Sequence, residues 1–342
     1  MQNSIYSLRL SELEYFLSSN GENPANATSI FEKIYKNKEK TSKEISKNAW
    51  SLIQNRFSFD LPTIVKTQTD NDGTIKFLLE FADHKKVETV LLPFNKRYTV
   101  CLSSQVGCAM NCTFCYTGTQ GLSRNLNSSE IIAQYLVAYT YLKNNINAPA
   151  ITPNIVFMGQ GEPLHNLEEI NQALLIMFDH HGLHLGPRQV TLSTAGFLPG
   201  LKKFTNLPPI NLALSLHSPF NDIRSELIPI NKQYPLEALF ESLDQIPLLK
   251  KQFITCEYLL IDGLNDRIED ANGLFELLHK RKAIINLIPF NPFPGSKYLR
   301  PSEGKVNQFK DYLVERKLRT MVRQTKGDEI LAACGQLNSK LD

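Results

Sequence analysis

The chain has 342 residues, long enough to bury a large core, and barrel-type enzymes of this length form one principal domain. Hydrophobic residues at 42% and charged residues at 21% fit a soluble globular protein; no apolar run is long enough to span a membrane, and Glu12 and Glu14 interrupt the start where a secretory leader would be apolar, so a cytoplasmic protein is expected. The net charge of +3 is too small to argue for a nucleic-acid partner by itself.

Residues 1 to about 60 read as helical, with Leu8, Leu10, Leu13, Phe16 and Leu17 at helical spacing and Ile30, Ile34, Ala49, Leu52 and Ile53 following. The period then changes to two. Strands are predicted over 63–68, 74–81 and 86–92, with Asp72-Gly73 as a hairpin turn; Ile75, Phe77, Leu79 and Phe81 alternate, which predicts one buried face. From about residue 97 strands over 97–103, 154–158, 188–194, 210–216, 253–261, 283–289 and 319–324 alternate with helices over 129–144, 167–181, 236–249, 268–281 and 303–316. That alternation predicts a parallel sheet with helices outside it. A full or partial (β/α) barrel is favoured over an open sheet because Ser193, Thr194, Ser215, His217, Asn286 and Asn291 fall at or just past strand ends, where barrel active sites lie. The last residues, 326–342, are polar and Gly-bounded and read as a flexible tail.

Two basic clusters stand out: Lys33, Lys36, Lys38, Lys40, Lys43 and Lys47 near the start, and Lys297, Arg300, Arg316, Lys317, Arg319, Arg323 and Lys326 near the end. They are either a footprint for a phosphate backbone or solvated helix faces balanced by Glu32, Glu39 and Glu44.

Four of the six cysteines lie within fifteen residues: Cys101, Cys108, Cys112 and Cys115. In a cytosolic chain such a cluster points to metal or catalysis rather than to disulfides. Cys108, Cys112 and Cys115 have CxxxCxxC spacing directly after the first expected barrel strand. Three thiolates cannot close a tetrahedral zinc site alone, but they can hold three irons of a [4Fe–4S] cluster and leave the fourth iron open to chelate a substrate. The alternatives are a zinc site completed by Cys101 or His217, or buried free thiols. Gly159-Gln-Gly161-Glu162-Pro163 follows another strand end and lacks the third glycine of a dinucleotide fingerprint. Cys256 lies mid-strand and reads as core.

The segments SSQVGCAMNCTFCYTGTQGLSRNL, FMGQGEPLHNL, VTLSTAGFLPGL, LALSLHSPFNDIR, LIPFNPFPGS and KGDEILAACGQL resemble, in order from about Glu88 to Leu337, those of the RlmN/Cfr family of radical S-adenosylmethionine (SAM) RNA methyltransferases. VGCAMNCTFC and NPFPG resemble the RlmN branch, whose members methylate C2 of adenine. The resemblance implies a partial (β/α)6-type radical SAM barrel over 93–325, a small N-terminal α+β accessory domain that binds RNA over 1–92, and a tail over 326–342. It implies a cluster on Cys108, Cys112 and Cys115, with SAM held by Gly161, Glu162, Ser193, Ser215, Leu216, His217 and Asn291.

The same resemblance implies that Cys334 in the tail carries a methyl group and that Cys101 resolves the RNA adduct through a transient disulfide with Cys334. Glu88 would accept the C2 proton, at strand parity with Val90 and Leu92 and so on their buried face. Two SAM molecules would be used per turnover. The implied substrate is an adenosine in 23S rRNA, with adenosine 37 of tRNAs left open, and the implied partner is a reducing system for the cluster; a monomer away from membranes is expected. Two rivals stand beside this reading: a Cfr-like enzyme methylating C8, and a non-catalytic RNA-binding protein with structural zinc. Tyr116 and Gln160 depart from the family pattern, where a small residue and methionine are usual, which bears on substrate choice rather than on reaction type.

Overall fold

The computed structural model describes residues 3–36, 44–95, 97–146 and 152–339; Lys38, Lys40 and Lys43 of the first basic cluster lie outside them. The N-terminal module is helical as expected, with α1 (Leu10–Ser19), α2 (Asn26–Lys36) and α3 (Lys47–Arg56). Leu13, Leu17, Ile30 and Ile53 are fully buried among them. A two-residue parallel pairing the sequence did not suggest, β1 (Asn3–Ser4) with β2 (Phe57–Ser58), ties the module's ends together.

Ten strands form one sheet. The first three, β3 (Thr63–Thr69), β4 (Ile75–Glu80) and β5 (Lys86–Phe94), run antiparallel, and β5 pairs antiparallel with β6 (Arg97–Cys101). The hairpin at Asp72-Gly73 forms as expected, with Gly73 at φ +81. A short hairpin of β7 (Gln105–Gly107) and β8 (Leu122–Asn125) follows and frames the cysteine loop. The parallel part then runs β6, β9 (Asn154–Phe157), β10 (Val190–Thr194), β11 (Asn211–Ser215), β12 (Ile254–Leu260), β13 (Ala283–Pro289) and β14 (Thr320–Val322). Between them stand α4 (Ser128–Asn145), α5 (Leu167–Phe178), α6 (Leu198–Leu201), α7 (Asn221–Leu227), α8 (Leu236–Asp244), α9 (Ile268–Leu278) and α10 (Glu303–Glu315). Six crossovers thus link seven parallel strands, and the edges β3 and β14 do not meet: the barrel is partial, and its sheet continues into the antiparallel strands.

The helices begin where local chemistry satisfies their free N–H groups. At α4, Asn127 accepts from the Glu130 amide while the Glu130 carboxylate accepts from the Asn127 amide. Ile131, Ile132, Tyr135, Leu136 and Ala138 are buried almost all round this helix, because it packs on the sheet and beneath the N-terminal module.

Two expectations are corrected. Strand β4 was expected to bury one face, yet Lys76 and Leu78 on the other face are buried as well. The cause is the C-terminal segment, expected to be a flexible tail, which is packed through Ser339. Its turn rests on the β3–β4 hairpin, where the Gly327 amide donates to Asp72 Oδ2 at 3.1 Å and the Glu329 amide to Asp70 Oδ2 at 3.1 Å. Gly327 has φ +71, and a Cβ there would stand 2.7 Å from the Ala332 Cβ, so this turn requires glycine. Ala332 and Leu337 then join Val90, Leu92 and Cys101 in a small apolar cluster.

Candidate active site

The cysteine loop is fixed at both ends by buried polar contacts. Gln134 of α4 accepts from the Ser103 amide at 2.9 Å and donates to the Ser103 carbonyl at 3.1 Å, holding the strand end before the loop. Ser103 Oγ in turn accepts from the Gln160 amide at 3.0 Å, and the Ser104 amide donates to the Gln160 carbonyl at 2.8 Å. The Cys108 amide donates to the Gly121 carbonyl across the β7–β8 hairpin, and the Thr113 amide to the Leu227 carbonyl at the end of α7. The loop is thereby tied to both sides of the barrel mouth.

Cys108, Cys112 and Cys115 line one cavity, together with Gly159, Gly161, Glu162, Ser193, Ser215, His217, Glu257 and Cys334. Desolvation pushes the Cys108 thiol up to about 12 and raises those of Cys112 and Cys115; for Cys112 the neighbouring Cys115 and Cys108 add to it. Such thiols stay protonated until a cation shares the cavity. No three His, Cys, Asp or Glu side chains among the described residues are disposed to hold a single metal ion. Three thiols on one cavity are the donor set that holds three irons of a [4Fe–4S] cluster and leaves the fourth open, so the residues present fit that group. Neither candidate fourth zinc ligand suits a zinc site. Cys101 lines a different cleft, and His217 Nδ1 accepts from the Leu259 amide at 2.9 Å.

The residues expected to hold SAM divide into two groups. Gly161, Glu162, Ser193, Ser215 and His217 line the same cavity as the thiols. Gly161 has φ +105, and a Cβ there would meet the Gln105 side chain at 2.6 Å, so only glycine leaves this backbone open. Both oxygens of the buried Glu162 carboxylate are engaged: it accepts from Thr194 Oγ1 at 2.7 Å and from the Ala195 and Leu164 amides at 2.8 and 3.1 Å. These bonds tie the loop to the end of β10. Leu216 and Asn291 stand apart. The Leu216 side chain is in the main core, and Asn291 borders the adjoining cleft, where its Nδ2 donates to the Cys334 carbonyl at 3.3 Å.

His217 has φ +57 and is buried, with Phe114 edge-on at 4.6 Å. The amide donated to Nδ1 fixes the neutral tautomer with the proton on Nε2, and burial pushes the imidazole down to about 3. The unfolded chain therefore takes up a proton below pH ~6.5 that the folded chain refuses until pH approaches 3, so stability falls with acid across that window. For His217→Asn, which tolerates positive φ, the urea midpoint should lose part of its slope between pH 6.5 and 4. The full contribution corresponds to roughly 3–5 kcal/mol. An unchanged slope would remove burial of His217 as its cause.

Cys334 borders both spaces. It lines the cavity with Cys108, Cys112 and Cys115, and it lines the adjoining cleft with Cys101, Met158, Asn291 and Arg323. Burial raises both tail-side thiols, that of Cys101 to about 12, and Arg323 pulls each back down. Glu88 is buried as expected, but its surroundings are not apolar. Lys76 Nζ lies 2.8 Å from Oε1, and the Asn338 amide donates to Oε2 at 2.6 Å. The tail thus sits on the carboxylate, clasped by Thr117 Oγ1 to the Leu337 carbonyl at 2.7 Å and by Gln120 Nε2 to Asn338 Oδ1 at 2.6 Å. Gln160 accepts from the Glu88 amide at 3.0 Å and donates to Ser339 Oγ at 3.2 Å. Tyr116 stacks on Phe293 at 4.8 Å. Cys256 is core, 1% exposed.

Three residues escaped the sequence reading. Arg224 is fully buried and its guanidinium donates to the Leu216, Ala195 and Ser215 carbonyls, clamping the rim of β10 and β11. Lys76 pairs with Glu88. Glu257 lines the cavity from β12. The only signal for the latter two was a charged residue inside an otherwise apolar strand. The second basic cluster does not form one open patch: Lys297 pairs with Glu226, Arg300 with Asp328, Arg316 lies over Tyr312, and Arg323 points into the cleft. No helix among the described residues is long and apolar enough to cross a membrane.

Residues 102–275, just over half the chain, match the model of the radical SAM superfamily. The chain is 39% identical over 331 residues to a protein of Syntrophobacter fumaroxidans named dual-specificity RNA methyltransferase RlmN, covering 96% of each. Its fold superposes on the crystal structure of a radical SAM methyltransferase from Sphaerobacter thermophilus with a TM-score of 0.90 at 35% identity, covering 99% of this chain and all of the other. Identity at that level over nearly the whole length, with three thiols facing a GEP loop in the barrel mouth, makes this chain a member of the RlmN family of radical SAM methyltransferases.

Proposed function

We propose that this chain methylates C2 of an adenosine in 23S rRNA, with adenosine 37 of tRNAs as a further substrate, as a cytoplasmic monomer that takes electrons from a cellular reductant. The observation that carries the reading is the position of Cys334, which borders the three-thiol cavity on one side and the cleft of Cys101 on the other. A group handed from the cavity to a substrate and then released by a second thiol needs that intermediate station. The name of the Syntrophobacter relative, an RNA methyltransferase of dual specificity, supports both the substrate class and its breadth.

When bound, the cluster and SAM supply a carbon radical that takes hydrogen from a methyl group, a route open to an electron-poor adenine C2 that is too weak a nucleophile for direct methyl transfer. Cys108, Cys112 and Cys115 would hold the cluster. The Gly161-Glu162 backbone, Ser193, Ser215 and His217 would orient SAM beside it, with Leu216 and Asn291 completing that set. Cys334 would receive a methyl group from one SAM, and a second SAM would be spent on activating it. Cys101 would then displace the product by closing a disulfide with Cys334. Glu88 would take the C2 proton, and Lys76 would orient its carboxylate. For Glu88 to meet RNA, the Asn338 amide has to leave its carboxylate, so the tail must move during the cycle.

Nucleoside mass spectrometry of rRNA and tRNA, from cells with and without this gene product, tests the reading. The expected result is loss of 2-methyladenosine in both pools when the protein is absent. A product that is chiefly 8-methyladenosine would overturn the C2 assignment. Modified rRNA with untouched tRNA would remove the second substrate.

A further inference from the structure

One face of the β5–β6 hairpin runs from Glu88 out to solvent. The register pairs Val90 with Cys101, Leu92 with Thr99 and Phe94 with Arg97. Residues directly opposite in an antiparallel pair share a face, and so do residues two apart along a strand. Glu88, Val90, Leu92 and Phe94 therefore lie on one face with Cys101, Thr99 and Arg97. The C-terminal segment covers its inner part: the Asn338 amide sits on Glu88, and Ala332 and Leu337 pack with Val90, Leu92 and Cys101. The last pair is left open. Phe94 is 42% exposed, and Arg97 is exposed as well. Phe94 and Lys326 both border the cleft of Cys101 and Cys334. Lys326 Nζ lies 5.8 Å from the Phe94 ring centroid and 3.9 Å from Asp72 Oδ2. Among the described residues, no carboxylate stands within ion-pair distance of Arg97.

We propose that Phe94, Arg97 and Lys326 form the docking surface for an unpaired stretch of RNA beside the target adenosine, a neighbouring base stacking on Phe94 while its phosphates meet the two cations. The proposal rests on the RNA-methylating reading given above and adds where the strand runs. An RNA joined to Cys334 and released by Cys101 must pass the mouth of the cleft that both thiols border, and Phe94 and Lys326 stand on that cleft. Four residues of extended strand separate the Val90–Cys101 pair from the Phe94–Arg97 pair, about 13 Å. The base on Phe94 is thus a near neighbour of the target and not the target itself. A ring flanked by positive charge matches a polyanion with free base faces, since every base has an apolar face to stack. A duplex keeps its bases stacked on one another and offers the ring none, so the surface selects unpaired nucleotides.

The test is equilibrium binding of two probes to the full-length, cluster-reconstituted protein: a short oligouridylate strand with one central adenosine, and the same strand annealed to its complement. Phe94→Ala should bind the unpaired strand about 5- to 150-fold more weakly than the wild type, the usual effect of removing one base–aromatic stack, and Phe94→Trp should retain the affinity. Neither variant should change affinity for the duplex. Arg97→Gln should weaken binding of the unpaired strand and lower its salt dependence by about one phosphate contact. Both side chains are exposed, so the variants should keep the fold. Wild-type affinity of Phe94→Ala for the unpaired strand would overturn the proposal, as would a loss in Phe94→Trp as large as in Phe94→Ala, or an equal loss for the duplex. A dimer that sedimentation shows Phe94→Ala to dissolve would give the face to a second copy of the chain and overturn it too. Nucleoside analysis judges the functional reading separately. If the wild type makes 2-methyladenosine and Phe94→Ala binds normally, this proposal alone falls. If Phe94→Ala loses binding and the wild type makes no 2-methyladenosine, the surface stands and the C2 assignment falls.

Discussion

Cys101→Ala should stop after a single equivalent of RNA per chain, leaving that RNA covalently joined to Cys334. The expectation follows from the cleft that the two thiols share and from what each rests on. Cys101 is on β6, opposite Val90, and is buried in the apolar cluster with Leu92, Ala332 and Leu337, so no other described thiol borders that side of Cys334. Labelled RNA migrating with the polypeptide on a denaturing gel reads the adduct directly. Cys334→Ala should give neither adduct nor product, which separates the carrier from the resolver. Normal turnover by Cys101→Ala would show that something else releases the product. The rate of release carries a further signature. Burial holds the Cys101 thiol up at about 12, so at neutral pH only a small fraction is thiolate, the form that attacks. Below that value the thiolate fraction rises about tenfold per pH unit, and decay of the wild-type adduct should accelerate with pH accordingly.

The cysteine loop could be read from the sequence because its ligands are local: CxxxCxxC spacing is set within eight residues and needs no tertiary information. The parallel strands could be read for the same reason, since Leu, Ile and Val runs bounded by polar turns mark buried strands wherever they pack. What escaped depends on contacts between distant segments. Lys76 looked like a solvent-facing residue of β4, because the segment that covers it, ending at Ser339, lies more than 250 residues further on. The tail looked mobile from its glycines and polar residues, yet those polar groups are spent on Asp70, Asp72, Gln120 and Glu88. Composition reports how many hydrogen-bonding groups a segment has but not whether another segment meets them. Arg224 and Glu257 were hidden in the same way: Arg224 of α7 meets the Ala195 carbonyl just past β10, and Glu257 of β12 meets Ser193 two strands away on β10, contacts that only the folded sheet brings together. Helix α7, seven residues long, was too short for its period to register.

Cys112→Ala should abolish both bound iron and methylation while leaving the fold in place. Two thiolates cannot hold a cubane against loss to solvent, and Cys112 belongs to a loop whose anchors are backbone contacts at Cys108, Thr113 and Tyr116 rather than its own side chain. Circular dichroism should therefore match the wild type while iron and sulfide analysis falls to background. Cys256→Ala makes the contrast. That thiol is in the main core, and its loss should cost about 1–2 kcal/mol of stability with full iron content retained. Iron retained by Cys112→Ala, or lost from Cys256→Ala, would move the cluster elsewhere and with it the chemistry. The thiols' surroundings also set the direction of pH dependence for assembly. All three are raised by desolvation and are protonated at neutral pH, so binding the cluster must release protons. Reconstitution should become more favourable as pH rises and fail first in acid, where His217 also begins to oppose the folded state. An assembly yield that is flat between pH 6 and 9 would mean that the thiols ionise more easily than their burial allows.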